Sequence, residues 1–360
     1  MPTWMIYGAT GYTGQLVAEA AVINGHQPLL AGRSEAKLRS LAQRLGLDYA
    51  VVSLEDTEQL NKVVASVDAV YHAAGPFVYT SAPMLRACLA GGTHYLDITG
   101  EIPVYQQAFH YDSAAREKGI AILPGMGFDV IPSDCLLKYV ADQLPDARHL
   151  EVVVAALDAT SASGLSAGTA KSELEILAQT GNVIRREGQL MEVPLGWGGR
   201  WFQLPSGRQF ILPLPWGDVE MGYHTTDIPN ITAYIAFPAA AARVLRITSP
   251  LLRAAVKSAA VRRFLGKILD ASLPGPSSTM RTVRRSWIWA QVQNAEGETR
   301  QAWLETIEAY RLTAEASWRV MERVLAGGLR GTLTPAQALG PDFVLMLPET
   351  QRHDVLPSAP

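Results

Sequence analysis

Gly8-Ala9-Thr10-Gly11-Tyr12-Thr13-Gly14 follows the apolar run Trp4 to Tyr7 and opens a helical pattern from Thr13 to Asn24. The glycine spacing is GxxGxxG. Glycine lets a backbone turn tightly and approach a pyrophosphate, whose charge is met by amide N–H groups at a helix N-terminus. A glycine-rich turn says little alone; here strand, turn, helix and a second strand, Gln27 to Ala31, stand at the spacing of a dinucleotide-binding unit. Gly8, Thr10, Gly11, Tyr12, Thr13 and Gly14 are the cofactor contacts this predicts.

The same rhythm continues outward. Glu35 to Leu45, Thr57 to Val64 and Ala82 to Ala90 read as helices, and Tyr49 to Ser53, Ala69 to His72, His94 to Asp97 and Ala121 to Leu123 as strands. Gly91-Gly92 and Gly119 stand where helices must stop. This alternation calls for an α/β fold with a doubly wound, Rossmann-type parallel sheet. At the end of the second strand an NAD-binding protein places Asp or Glu for the ribose 2′-hydroxyl, whereas this chain has Ala31-Gly32-Arg33-Ser34. A carboxylate would repel a 2′-phosphate; a guanidinium and a hydroxyl accept it. NADP(H) is therefore predicted, with Arg33, Ser34 and Lys37 around the phosphate. Ala73-Ala74-Gly75-Pro76-Phe77 follows the fourth strand at its C-terminal edge, where open α/β sheets hold ligands, so Ala74, Gly75, Pro76 and Phe77 are placed beside the nicotinamide-side ribose.

A chain of 360 residues exceeds one such unit, and the texture changes after Gly125. Leu150 to Ala156 reads as a strand, a Ser/Gly/Thr-rich loop runs from Thr160 to Thr169, and Ser286 to Val292 and Gln301 to Ile307 form a strand pair around Asn294 to Glu298. The expected division is 1–125 for the nucleotide domain and 126–325 for a mixed α/β (α+β) substrate domain, including a helix from Leu312 to Leu325. Residues 326–360 are expected as a separate Pro-containing C-terminal segment, its last dozen residues disordered. The net charge of −3 gives no field to recruit nucleic acid, and Cys88 and Cys135 are too few for a disulfide framework or a cysteine-rich zinc site. With no leader-like start and no long uncharged apolar run, a cytoplasmic protein without a bound metal is expected.

Four motifs together resemble the saccharopine dehydrogenase-like oxidoreductases, including the trans-acting enoyl reductase branch. They are the Gly8 to Gly14 turn, Ala74-Gly75-Pro76-Phe77, the run Gly92 to Glu101 reading GTHYLDITGE, and the run Gly125 to Asp134 reading GMGFDVIPSD. Weaker agreement at Ser166 to Thr169, Tyr310 to Ala314 and Thr334 to Ala336 extends the likeness over most of the chain. The resemblance implies an NADP-binding Rossmann domain, a second mixed domain and a C-terminal return to the first. It does not imply a substrate, since members act on lipid-linked alkenes and on C–N bonds.

Tyr95, Asp97 and Glu101 lie at or past a strand end, and Phe128, Asp129 and Asp134 lie in the segment joining the domains, so both groups are expected to line a cleft. Ser133 or Asp134 equally suits the cap of a following helix, with Pro132 fixing its entry. None of the 12 tyrosines has Lys four residues later, which excludes the short-chain reductase pair, and both cysteines read as packed rather than nucleophilic. Hydride transfer still needs a proton donor. Tyr79 is the first candidate, with Asp97 and Asp129 as alternatives and Tyr223-His224 behind them.

Arg243, Arg246, Arg253, Lys257, Arg262, Arg263 and Lys267 lie among Ala, Val, Leu and Ile with no acid between Pro238 and Ile268. They read as one or two basic amphipathic helices, a peripheral contact at 243–267 for anionic lipid, an acyl carrier or a CoA phosphate, and otherwise a solvated helix face. The expected activity is NADPH-dependent reduction of an activated C=C (enoyl) or C=N bond in a small, lipid-like or acyl-thioester substrate. An amino-acid-type C–N dehydrogenase drawing on Arg281, Arg284 and Arg285 is the second reading, and a non-catalytic NADP(H) sensor the third.

Overall fold

β1 (Trp4–Tyr7) is buried at every position and lies inside a seven-stranded sheet. Helices on both faces explain why its residues are apolar without alternation. The computed structural model describes residues 3–156, 166–179, 181–273 and 275–357. After β1 come α1 (Tyr12–Ile23), β2 (Leu29–Gly32), α2 (Glu35–Leu45), β3 (Tyr49–Val51), α3 (Thr57–Val64), β4 (Ala69–His72), α4 (Phe77–Gly91), β5 (His94–Asp97), α5 (Ile102–His110), α6 (Asp112–Lys118) and β6 (Ala121–Leu123). The strand order is β3-β2-β1-β4-β5-β6, then Gly331–Thr332 beside β6, and every pairing is parallel. Chain progression reverses between β1 and β4, so a crevice opens at their C-terminal ends.

The chain divides into two units, Met1–Asp129 with Tyr310–Leu339, and Val130–Ala309 with Gly340–Pro360. This differs from the expected boundaries at the C-terminal end. The helix Ala309–Leu325, expected in the second domain, packs almost wholly with the first unit. Its Thr313 hydroxyl accepts the Phe128 amide at 2.9 Å, its Tyr310 ring meets Tyr12 edge-on at 4.9 Å, and Trp318 lies 5.9 Å from His26. Those partners are far away in sequence, so helical periodicity alone does not assign the helix to a unit. The returning segment splits too: Gly331–Thr332 extends the parallel sheet, while Gln351–His353 pairs with Thr299–Ile307 in the second unit. That pairing corrects the expectation of disorder at Gln351–His353, while residues 358–360 lie outside the described residues.

α4 begins five residues earlier than the expected Ala82. Pro83 lies inside it and reads from sequence like a first-turn proline. The true first turn is held from elsewhere: the buried Glu101 carboxylate accepts the Phe77 amide at 2.8 Å and the Val78 amide at 2.7 Å.

In the second unit a nine-stranded mixed sheet is built around His149–Ala156, which lies parallel to Asn230–Ala236 and antiparallel to Arg285–Gln293. The hairpin of Arg285–Gln293 with Thr299–Ile307 turns where the Asn294 side chain accepts the Glu298 amide at 2.8 Å. Trp287, Trp289 and Trp303 are buried in one core cluster of this sheet, with Phe202 packed against it. Residues 160–165 of the expected Thr160 to Thr169 loop lie outside the described residues, and the helix Ala167–Gln179 begins inside the rest of it. Neither Ser133 nor Asp134 caps the helix Ile131–Ala141, one of the two readings the sequence left open. The Ser133 hydroxyl donates back to the Val130 carbonyl at 3.1 Å, and Asp134 accepts the Thr225 hydroxyl at 2.5 Å.

Candidate functional site

The glycine turn is crowded on the inside. Gly8 has φ +84°, and a Cβ there would stand 2.8 Å from the Ala74 Cβ and 2.9 Å from the Ala73 backbone. A Cβ on Gly14 would meet the Gly8 carbonyl oxygen at 2.3 Å. Gly11 differs: it is exposed, and the nearest atom to its Cβ position is the Gly8 oxygen at 3.3 Å. The Gly8 and Ala9 amides both donate to Ala31 at the end of β2, and α1 starts at Tyr12 with no side chain capping it. A helix N-terminus behind a tight glycine turn, with no side chain capping it, is the arrangement a pyrophosphate needs.

At the end of β2, Arg33 is exposed and Ser34 half-buried at the N-terminus of α2. Neither has a side-chain partner among the described residues, and Lys37 is exposed one turn on. Nearby carboxylates are occupied elsewhere, Glu35 by Arg39. The Arg33 charge acts on the Tyr7 hydroxyl, whose pKa burial nevertheless raises.

β4 ends at His72, whose imidazole is buried against Tyr7 and Phe77. Burial lowers its pKa to about 3. The ring is therefore neutral near pH 7; its Nε2 lies 3.0 Å from the Thr80 hydroxyl, and that hydroxyl donates to the Ala74 carbonyl at 2.7 Å. Nε2 must then be the protonated nitrogen, because the hydroxyl proton is already used. The Ala74-Gly75-Pro76 loop is thereby tied to the first turn of α4, and Gly75 is its exposed residue. Sequence reading missed His72 and Thr80; a polar residue ending an otherwise apolar buried strand was the available signal.

The acidic candidates separate. Asp97 is fully buried, accepting the Tyr95 hydroxyl at 2.6 Å and the Thr99 and Gly125 amides at 3.0 and 2.9 Å. Burial pushes its carboxyl up to about 6 while those donors pull it down. A carboxylate closed from solvent and holding three donors organises the loops after β5 and β6; it does not line an open site. Glu101, expected at the cleft, is the α4 cap described above. Asp129 is half-buried, with its carboxylate against the Gly100 α-carbon, where a Cβ would stand 2.5 Å from Oδ2. Tyr79 is 55% exposed in the first turn of α4, near the 74–76 loop.

In the second unit, Tyr223 lies beneath the Arg185 guanidinium at 4.1 Å, and His224 Nε2 is 3.4 Å from Glu220. Arg185 also pairs with Glu220; this buried ion pair has the half-buried Tyr223 and His224 against it. Cys88 and Cys135 are buried, and burial raises both thiol pKa values, as expected of packed cysteines.

A glycine turn at the switch point of a parallel sheet, cation and hydroxyl at the end of the second strand, and a small-residue loop after the fourth define a Rossmann-type dinucleotide-binding domain. Residues 4–123 match the family model of the saccharopine dehydrogenase NADP binding domain. That segment carries the likeness to the saccharopine dehydrogenase family. The chain is 25% identical to the trans-acting enoyl reductase of Mycobacterium tuberculosis over 96% of this chain and 95% of that one. A lipid droplet localized protein of Caenorhabditis elegans is 31% identical over 46% of this chain and 42% of its own length, and the rat saccharopine dehydrogenase-like oxidoreductase 30% over 39% and 37%. The chain thus matches less than half the length of these last two relatives. The apo saccharopine dehydrogenase (L-Glu forming) from Saccharomyces cerevisiae shares the fold, with a TM-score of 0.68 at 14% identity over 99% of this chain and 100% of that one.

Proposed function

We propose that the chain is an NADPH-dependent reductase delivering hydride to an activated C=C or C=N bond of a fairly apolar substrate. The observation that carries the reading is the pairing of the crowded Gly8–Gly14 turn with an unpartnered Arg33 at the end of β2. Backbone amides of the turn hold the pyrophosphate, Arg33, Ser34 and Lys37 take the 2′-phosphate, and the 74–77 loop borders the nicotinamide ribose. Bound NADPH supplies a hydride from C4 of its nicotinamide. The protein must then orient the acceptor carbon and deliver a proton, a role we assign to the exposed Tyr79, with Asp129 as the alternative donor.

The trans-acting enoyl reductases, aligned over nearly the whole chain, favour the C=C acceptor. The amino-acid-type reading loses support because its arginines are engaged: Arg285 pairs with Glu349 and approaches Glu305 at 4.0 Å, and Arg281 donates to the Pro276 carbonyl at 2.8 Å. The test is fluorescence titration with NADPH and NADH, followed by absorbance of reduced cofactor in the presence of pooled enoyl thioesters and pooled imines. Selective NADPH binding with oxidation by one pool supports the reading and chooses the acceptor. Tight binding without oxidation by either pool favours a cofactor sensor, and no binding overturns the proposal.

A further inference from the structure

The segment 239–272 forms two consecutive helices, Ala239–Lys257 and Ala259–Ser272, whose outer faces are unlike a solvated surface. Val244, Ile247 and Leu251 follow one another at three- and four-residue spacing on the first helix and are 61%, 80% and 77% exposed; Phe264 on the second is 65% exposed. Single exposed apolar residues need no explanation, but a stripe at helical spacing, continued on the next helix, does.

The charge on these faces is positive except at Asp270 near the end of the second helix, which pairs with Lys171 at 2.6 Å. Arg243, Arg246, Lys257 and Lys267 are exposed with no side-chain partner among the described residues, and Arg263 is exposed beside Phe264. The stretch from Pro238 to Leu269 contains no acid, in a chain whose net charge is −3. Arg262 stands apart: it is half-buried, pairs with Glu175 at 3.0 Å and donates to the Val256 and Lys257 carbonyls, so it fastens the junction of the helices. The side chain of Arg253 lies outside the described residues.

Behind the helices lies an open, largely apolar pocket of about 370 Å³, lined by Leu174, Leu177 and Glu173 of Ala167–Gln179, by Leu245 on the first helix and by Leu265 and Leu269 on the second. Ile268 belongs to both features, lining the cavity and being 45% exposed. The cavity and the outer stripe therefore meet at one residue.

We infer that this helix pair docks on an anionic lipid surface and that the cavity behind it receives an acyl chain from that surface. Apolar side chains flanked by unpaired cations match an interface whose headgroups are negative and whose interior is hydrocarbon. An acidic protein would satisfy the cations but leave Ile247, Leu251 and Phe264 without hydrocarbon to enter. The cavity lining is aliphatic apart from Glu173, so it suits a hydrocarbon chain.

The test uses the full chain and sedimentation with vesicles of phosphatidylcholine alone or mixed with phosphatidylglycerol. Binding is expected to the mixed vesicles, to weaken with salt, and to fall at least roughly tenfold in a quadruple Arg243→Gln, Arg246→Gln, Arg263→Gln, Lys267→Gln variant. Ile247→Glu with Phe264→Glu should abolish it at all salt concentrations, and these exposed positions leave the fold intact. For the cavity, Leu177→Trp should prevent uptake of the fluorescent fatty acid cis-parinaric acid. Leu174→Ala, which enlarges the cavity, should retain uptake and shows whether the lining tolerates change. No binding to anionic vesicles, or binding unaltered in both surface variants, overturns the docking; uptake unaltered in Leu177→Trp overturns the cavity assignment. NADPH titration of the same variants reads the first unit separately, so failure here is distinct from failure of the reductase proposal.

Discussion

His72 Nε2 lies 3.0 Å from the Thr80 hydroxyl, which donates its own hydrogen bond to the Ala74 carbonyl, so a buried imidazole at the end of β4 fixes the loop beside the cofactor turn. Thr80→Val keeps the shape and removes both bonds, leaving a buried N–H unpaired at a cost of about 1–3 kcal/mol. Urea unfolding should register that loss, and NADPH affinity should fall with it while NADH and NADPH are affected alike. The pH dependence has a definite sign. The folded-state pKa of His72 is depressed, so its contribution is complete above the ordinary value of 6.5 and is lost as pH falls from there towards about 3. His72→Gln should flatten the acid limb of the stability profile over that window.

Gly14→Ala and Gly11→Ala separate close packing from mere flexibility. The first puts a Cβ 2.3 Å from the Gly8 carbonyl oxygen, against backbone that cannot yield without moving β1 or α1. The second adds a methyl to an exposed position with a nearest approach of 3.3 Å. Gly14→Ala should cost at least about 2 kcal/mol of stability and abolish measurable NADPH binding. Gly11→Ala should stay folded and bind cofactor within roughly tenfold of the parent, each read by thermal unfolding and fluorescence titration.

Arg33→Ala tests the cofactor choice. A charge-assisted bond to phosphate contributes about 1.5–3 kcal/mol, so NADPH affinity should drop by roughly ten- to a hundredfold while NADH affinity is unchanged. Equal losses for both cofactors, or none, would remove Arg33 from the 2′-phosphate site.

What could be read in the chain and what could not follow a physical division. β1 through β6, the glycine turn and the absence of a carboxylate at Arg33 are local patterns, and the structure contains the same strands and the same turn. Glu101 was read as a cleft residue because its two amide donors, Phe77 and Val78, lie in another loop. The start of α4 was misplaced for the same reason, since its cap is not adjacent in sequence. Asp97 looked available from the strand end alone; its enclosure depends on Tyr95, Thr99 and the distant Gly125. Periodicity reports which face of an element is apolar, and contacts at long separation decide what that face meets.

Asp218 gives the last prediction. It is fully buried in the first turn of Asp218–Thr226, where burial, with the neighbouring Asp134, pushes its carboxyl up to about 7. Because the folded-state value is raised, the folded protein holds a proton that the unfolded chain releases as pH climbs above about 4. Its stabilising contribution is therefore complete in acid and declines between about pH 4 and 7, at up to roughly 1.4 kcal/mol per pH unit. Asp218→Asn removes the ionisation and nearly preserves the shape. Urea midpoints across that range should lose the declining component in the variant, with the gain over the parent greatest at pH 7. A parallel pair of profiles would mean that Asp218 titrates normally in the folded protein.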